Sequence, residues 1–271
     1  MAEPVLQFRD VAFAWPDAAP LLSGLNLSVA PGECLALVGR NGAGKSTLFK
    51  LACGLLKPAA GQVTVGGLDT AQARAPQLAR QVALMFQEAE RQICHDQVEA
   101  EVAFAPRLAG LDASELALKV ARALELTGLA GRARCHPFDL NAGERRLLTL
   151  AALIAQDTPL ILLDEPTRDF DAAQLACFEA WLTLARSEGR ALLFISHDLD
   201  FIARHASRVL HLDGGAIVAD GPSCRVLLHP ALQAPDALPA PTLPALCQAL
   251  GLPPTADADA FDAAWLARLR G

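Results

Sequence analysis

Seven short apolar runs punctuate the chain: VLQF from residue 5, CLALV from 34, QVTV from 62, VALMF from 82, LILL from 160, ALLFI from 191 and RVLHL from 208. Several lack polar alternation, so both faces of each strand would be covered, as in a sheet packed on both sides. Between about residues 90 and 158 the period changes to that of helices. Asp112 and Glu115 frame a helix start, and Leu116, Val120 and Leu124 follow at four-residue spacing along one face. A helical block thus interrupts an α/β core. Past residue 222 the pattern changes again, because eight of the 18 prolines fall in the last 50 residues. That density excludes long helices and predicts a linker or a small appended unit. Within it LPALCQALGL and FDAAWLARLR read as short amphipathic helices, and Trp265, Leu266 and Leu269 are odd residues for a solvated tail. The expected organisation is a main domain over 1–226, with its helical subdomain at about 90–158, and an appendage over 227–271.

Composition narrows the function classes. A hydrophobic content of 52% is ample for a large core in 271 residues. The net charge of −7 argues against a protein built to grip a nucleic-acid backbone. No apolar run approaches the ~18 residues needed to span a bilayer, and MAEPVLQFRD lacks the basic start and apolar centre of a secretory signal, so a cytoplasmic chain is expected. The seven cysteines are scattered without a Cys-x-x-Cys spacing and read as small buried hydrophobes. Cys94-His95 and Cys135-His136 invite a metal reading, but no third or fourth ligand is spaced to join either pair.

Three segments carry chemistry. GRNGAGKST, residues 39–47, lies between the strand-like CLALV and a helix-like segment, the context of a phosphate-binding loop. Gly42 and Gly44 let the backbone curl so that N–H groups converge on a phosphate, Lys45 would reach the β- and γ-phosphates, and Ser46 would hold Mg²⁺. LILLDEP, with Asp164 lying 119 residues beyond Lys45, delivers two carboxylates to a strand end. Asp164 would anchor the magnesium shell through water and Glu165 would polarise an attacking water, although alone the pair could simply cap a strand. FISHDLD places Ser196 and His197 at the end of another strand.

In this order the motifs resemble the nucleotide-binding subunits of ATP-binding-cassette transporters across residues 4 to 226. GRNGAGKST is similar to the Walker A loop (Gly39, Asn41, Gly42, Ala43, Gly44, Lys45, Ser46, Thr47), Gln87 to the Q-loop glutamine, and LNAGE (Asn141, Ala142, Gly143, Glu144) to the signature segment. LILLDE resembles Walker B, Asp171 the end of the D-loop and His197 the switch histidine. The resemblance implies an α/β P-loop ATPase with a mixed sheet, an inserted helical subdomain and a small C-terminal appendage. It implies ATP and Mg²⁺ as ligands, with Ser46, Gln87 and Asp164 around the metal, Glu165, His197, Lys45 and Gln87 as catalytic residues, and Trp15 stacked on adenine. FQEAERQICHDQVEAEVAFAPRLAGL and LPAPTLPALCQALGLP further resemble energy-coupling-factor ATPases, which power uptake of vitamins, cobalt or nickel. The implied partners are a second copy or a paralogous ATPase, a transmembrane coupling subunit and a separate substrate-binding membrane protein, with no nucleic acid. The implied location is peripheral, on the cytoplasmic face of the membrane. An ATPase of another importer and a soluble non-transport relative stay open as alternatives.

The signature segment departs from the usual Leu-Ser-Gly-Gly-Gln. Asn141 and Glu144 can form a capping box at a helix start, or the same helix start can meet a γ-phosphate of a partner chain. Ala142 is costly if its φ must be positive and cheap if it is helical. The charge of Glu144 is expected to be offset by Arg145 and Arg146 beside it. Glu88, Glu90, Glu99 and Glu101 read equally as receivers for arginines of a membrane subunit or as a solvated face.

Overall fold

In a computed structural model of the chain, residues 3–229, 232 and 240–270 are described. Two sheets make the core. Strands β1 (Leu6–Ala14), β2 (Pro20–Val29), β4 (Ala60–Val65) and β5 (Leu68–Asp69) form an antiparallel sheet in the order β2-β1-β4-β5. Strands β3 (Cys34–Val38), β6 (Val82–Met85), β7 (Leu160–Asp164), β8 (Ala191–Ile195), β9 (Arg208–Asp213) and β10 (Ala216–Pro222) form the second, in the order β10-β9-β3-β8-β7-β6. Its five strands from β9 to β6 run parallel, and β10 returns antiparallel.

The unbroken apolar runs become the strands covered on both faces. Leu35, Leu37, Leu160, Leu162, Leu193 and Leu210 point to one side, into a core shared with the antiparallel sheet and helix α1 (Lys45–Ala52). Ala36, Val38, Ile161, Leu163, Leu192, Phe194 and Val209 point to the other, against α5 (Ala142–Gln156), α6 (Ala172–Ser187) and α7 (Leu199–His205). The alternation follows from the two-residue strand period, and each fully buried leucine contributes about 2 kcal/mol.

Three strands escape the apolar-run criterion. β2 carries Gly24 at φ 59 and pairs with β1 through shifts of register. β5 is two residues long, and β10 alternates buried with exposed positions before ending on Pro222. The run VALMF stops as strand at Met85, because the N–H of Phe86 donates to Gln92 Oε1 at 2.9 Å.

The short helix α2 (Ala75–Leu78) lies between β5 and β6, and between β6 and β7 the regular structure is helical: α3 (Val98–Leu108), α4 (Ala113–Leu126), α5 and three short 3₁₀ turns. Asp112 caps α4 by accepting from the N–H groups of Ser114 and Glu115. The cysteines are less uniformly buried than their sequence suggests. All seven are free, but only Cys34 and Cys247 are buried and Cys94 is exposed. Burial pushes the Cys34 thiol up to about 12.

The C-terminal segment contains α8 (Ser223–Leu227), α9 (Thr242–Ala249) and α10 (Ala258–Arg270); prolines 230, 235 and 239 lie outside the described residues. α10 reaches 13 residues because no proline follows Pro254. In α9, Pro244 sits in the first turn, where its missing N–H costs nothing. Pro241 cannot cap α9 with a side chain. Asp200, from the first turn of α7, supplies that cap: its carboxylate accepts from Thr242 N at 2.6 Å and from Thr242 Oγ1 at 2.8 Å. Leu266 and Leu269 stay exposed. Asp200→Ala should therefore cost α9 about 1 kcal/mol, the usual worth of such a cap. Exchange of the amides of residues 242–252 should rise about fivefold by mass spectrometry, and an unchanged rate would show that α9 is held by packing alone.

Candidate functional site

Strands β3, β8, β7 and β6 are neighbours, so whatever follows each of them emerges side by side. The register is level: Leu37 pairs with Ile195, and Ile195 with Asp164. Beyond Val38 the chain enters the loop 39–44. Gly39 has φ 152, and a Cβ there would lie 2.1 Å from the carbonyl oxygen of Leu212, so no other residue fits this turn against β9. Gly42 and Gly44 also have positive φ, and α1 begins at Lys45. A cleft of about 600 Å³ opens on this edge. It is lined by Trp15, Leu21, Asn41, Gly42, Gly44, Lys45, Ser46, Thr47, Gln87, Asp164, Glu165, Ile195 and His197. Gly39 and Ala43 belong to the loop without lining the cleft. Trp15 is 42% exposed and stands edge-on to Phe13, with ring centroids 5.2 Å apart.

The cleft concentrates charge in a poorly solvated place. Lys45 donates from Nζ to the carbonyls of Gly39 (2.7 Å) and Arg40 (3.0 Å). Burial pulls its pKa down, against the attraction of Glu165 and Asp164. Ser46 Oγ donates to Asp164 Oδ2 at 2.9 Å. Burial holds the Asp164 carboxyl above its usual range despite that bond and the nearby Lys45. Burial also raises Glu165, whose charged form is favoured by His197. His197 Nε2 lies 3.4 Å from Glu165 Oε1, too poorly aligned for a hydrogen bond, which leaves that buried oxygen without a partner. Glu165 Oε2 accepts from the His197 main-chain N–H at 3.3 Å. Glu165 and Asp169 have φ of 49° and 68°, conformations that non-glycine residues adopt at a cost.

The signature-like residues are elsewhere. None of Asn141, Ala142, Gly143, Glu144 and Asp171 lines the cleft. Asn141 and Glu144 form a reciprocal capping box on α5, each accepting the other's main-chain N–H at 2.9 Å. Ala142 is the first residue of α5 and is absent from the positive-φ positions, so its methyl is conformationally cheap. A Cβ at Gly143 would lie 2.0 Å from Gln174 Oε1, so a side chain there displaces the end of Gln174. Gln174 forms a second capping box with Asp171 at the start of α6. The Asp-x-x-Gln spacing carries that signal in the sequence, but its contact with Gly143 has no local signature.

Two expectations about charge are corrected. Arg145 and Arg146 do not serve Glu144. Arg145 pairs with Glu90 at 2.6 Å, and Arg146 turns inward because neighbours on a helix diverge by about 100°. Glu144 instead has Arg132 at 3.7 Å. The four glutamates are not one acidic face either. Glu101 is buried, accepting from the N–H groups of Cys94 and His95 and facing His95 Nδ1 at 3.0 Å. Glu88 is engaged by Arg91, which leaves Glu99 exposed and without an ion pair among the described residues. Among the described residues no group of three or more His, Cys, Asp or Glu side chains is arranged to hold a metal. Among the described residues no helix is long and apolar enough to cross a membrane.

A family model described as ABC transporter matches residues 22–168. The energy-coupling factor transporter ATP-binding protein EcfA of Methanothermobacter thermautotrophicus is 36% identical over 80% of this chain and 70% of that protein. The nickel import ATP-binding protein NikO of Rhodobacter capsulatus is 37% identical over 84% of this chain and 93% of that protein. Among solved structures, CbiO1 of Clostridium perfringens, part of the ABC transporter complex CbiONQ, superposes with a TM-score of 0.75 at 24% identity over 84% of this chain and 92% of that one. The ATP-binding cassette MJ0796, in a dimeric post-hydrolysis state bound to ADP and Pi, gives 0.72 at 21% over 80% and 98%. At these identities the two structures speak for the fold alone. Loop, acidic strand end and histidine on one sheet edge agree with the family match, and the chain belongs to the ABC transporter family as an ATP-binding, ATP-hydrolysing subunit.

Proposed function

We propose that this chain is the ATPase of an energy-coupling-factor-type importer of a micronutrient, a metal ion such as nickel or cobalt or a vitamin, and that it works as an ATP-sandwiched pair. The observation that carries the pairing is the separation described above: the phosphate-loop cleft and the signature-like helix start sit on different parts of one chain. A nucleotide in the cleft would meet residues 141–144 only from a second copy or a paralogue. The importer type rests on what EcfA and NikO are named for, together with their coverage of most of this chain. The membrane-embedded partners would be a coupling subunit and a substrate-binding subunit. Recovery of such subunits with the tagged chain from membranes, identified by mass spectrometry, tests this. Recovery of transmembrane subunits of another importer class, or of soluble proteins only, would overturn it.

The residue roles follow from chemistry. Lys45 leaves the carbonyls of Gly39 and Arg40 for the β- and γ-phosphates, and Trp15 offers a ring face to adenine. The oxygens of Ser46, Gln87 and Asp164 suit a hard cation such as Mg²⁺, and the partnerless Glu165 Oε1 is consistent with a site short of positive charge. Bound there, Mg²⁺ supplies neutralisation of phosphate charge. Glu165 accepts the proton of the attacking water, with His197 beside it.

Two substitutions separate the halves of the site. Glu165→Gln should keep ATP affinity and lose roughly 10² or more in turnover, because the amide cannot take the proton. Asn141→Ala should slow turnover while leaving ATP binding to the isolated chain unchanged. Near wild-type turnover in either variant would remove that residue from its role.

Asp164 gives a test of the electrostatics. Its raised pKa means that the folded state holds the proton more tightly than the unfolded chain, so ionising it costs stability as pH rises from the ordinary carboxylate value through the raised one. Asp164→Asn should therefore raise the nucleotide-free Tm at pH 7, with a smaller gain at pH 4. Mg-ATP should stabilise the wild type more than this variant. A lower Tm for Asp164→Asn at pH 7 would contradict the reading.

A further inference from the structure

Arg146 is the largest of the fully buried side chains, at 2% exposure, and the roles above do not use it. It lies in the second turn of α5, five residues past Asn141. Nη1 donates to the main-chain carbonyl of Glu165 at 2.8 Å, and Nη2 to that of Gln87 at 2.6 Å. The nearest carboxylate, Asp169 Oδ2, is 4.0 Å away, and the buried Nε has no partner. A guanidinium stays charged in a protein, and burying one against carbonyl dipoles with no carboxylate in hydrogen-bonding contact is expensive. A cost of this kind, borne where three functional segments meet, points to a mechanical use.

We propose that Arg146 is a positioning residue that ties the signature-bearing helix to Gln87 and to the main chain of Glu165, so that these three segments of one chain move together. Glu165 needs such a tie, because its φ of 49° is unfavourable for a residue with a side chain. Its N–H donates to Ile195 O at 2.9 Å, and its carbonyl accepts from Arg146 and, at 3.3 Å, from the N–H of Arg168. Both peptide planes around Glu165 are thereby fixed, which aims its carboxylate into the cleft beside His197. On the other side the turn after β6 is held twice by α5: Gln87 by Arg146 and Glu90 by Arg145. The planar fork matters here, since two divergent N–H groups reach two carbonyls that a single ammonium cannot span.

The functional consequence rests on the paired reading given above. The start of α5 meets the nucleotide held by the partner copy, whereas Glu165 serves the nucleotide held by its own. Arg146 then makes seating of α5 at one composite site a condition for a correctly aimed Glu165 at the other. It acts through Glu165 and Gln87, without touching the nucleotide.

The test compares Arg146→Lys and Arg146→Met with the wild type. Readouts are the melting temperature, ATP affinity of the isolated chain, kcat and KM for ATP, and hydrogen exchange of peptides covering residues 84–92 and 163–170 without nucleotide. Arg146→Lys should fold, bind ATP within twofold of wild type and lose at least tenfold in kcat with little change in KM. Both peptides should exchange faster. Should Arg146→Met fail to fold, Arg146→Lys alone decides. A kcat within twofold of wild type, unchanged exchange in both peptides, or a parallel loss of kcat and ATP affinity would overturn the assignment. Failure of the pairing itself would be recognised separately, by an inert Asn141→Ala, and the exchange measurement tests the tie without a dimer.

Discussion

Parallel strands that are neighbours in one sheet must all end on the same edge, and the chemistry of this chain depends on that constraint. Leu35 to Val38, Leu160 to Leu163 and Ala191 to Ile195 are buried on both faces, so none of these strands can slip by one residue without turning its apolar set to the wrong side. The level of Asp164 against Ile195, and of Ile195 against Leu37, is therefore fixed by leucines that take no part in chemistry. Lys45, His197, Asp164 and Gln87 each come from a different crossover, and the sheet brings them to one cleft.

The same burial that fixes the geometry also penalises the charges of the site. Asp164 and Glu165 are pushed towards their neutral forms and Lys45 towards its own, all because the cleft is poorly solvated. Each charge is partly rescued by the others, but the pairs are incomplete: Lys45 turns to loop carbonyls and one oxygen of Glu165 accepts no hydrogen bond. On the proposed reading, a polyanion with a hard divalent cation would supply what is missing, a negative partner for Lys45 and a positive one for the carboxylates.

What could be read in the sequence was whatever is contiguous. GRNGAGKST and LILLDEP carry their own context, because a run of apolar residues before the loop or carboxylate is itself the strand that delivers it. Asn141 with Glu144 is a spacing, and the capping box follows from it. Contacts between distant segments leave no such trace. Arg146 was indistinguishable from Arg145, since both are arginines at the polar start of a helix, and only the packing of α5 decides which points to solvent. Asp200 and Thr242 are 42 residues apart, and no pattern joins them. β2 was hidden by Gly24 and by shifts of register that break the two-residue period.

If residues 141–144 act as proposed, the start of α5 offers a way for an altered signature to keep its chemistry. Four N–H groups at a helix start lack partners within the helix. The capping box accounts for that of Glu144 and also for the N–H of Asn141, both through side-chain oxygens. The N–H groups of Ala142 and Gly143 are left, on a helix whose dipole favours an anion at this end. Because the cap uses Asn141 Oδ1, the amide nitrogen of the same side chain is left as a further donor. Ala142 keeps its N–H whatever its side chain, and its helical backbone makes the methyl inexpensive. A Cβ at Gly143 would displace the end of Gln174, which fills that space and caps α6 together with Asp171. The segment tolerates change where only a main-chain donor is required, and resists it where the second helix cap packs against it.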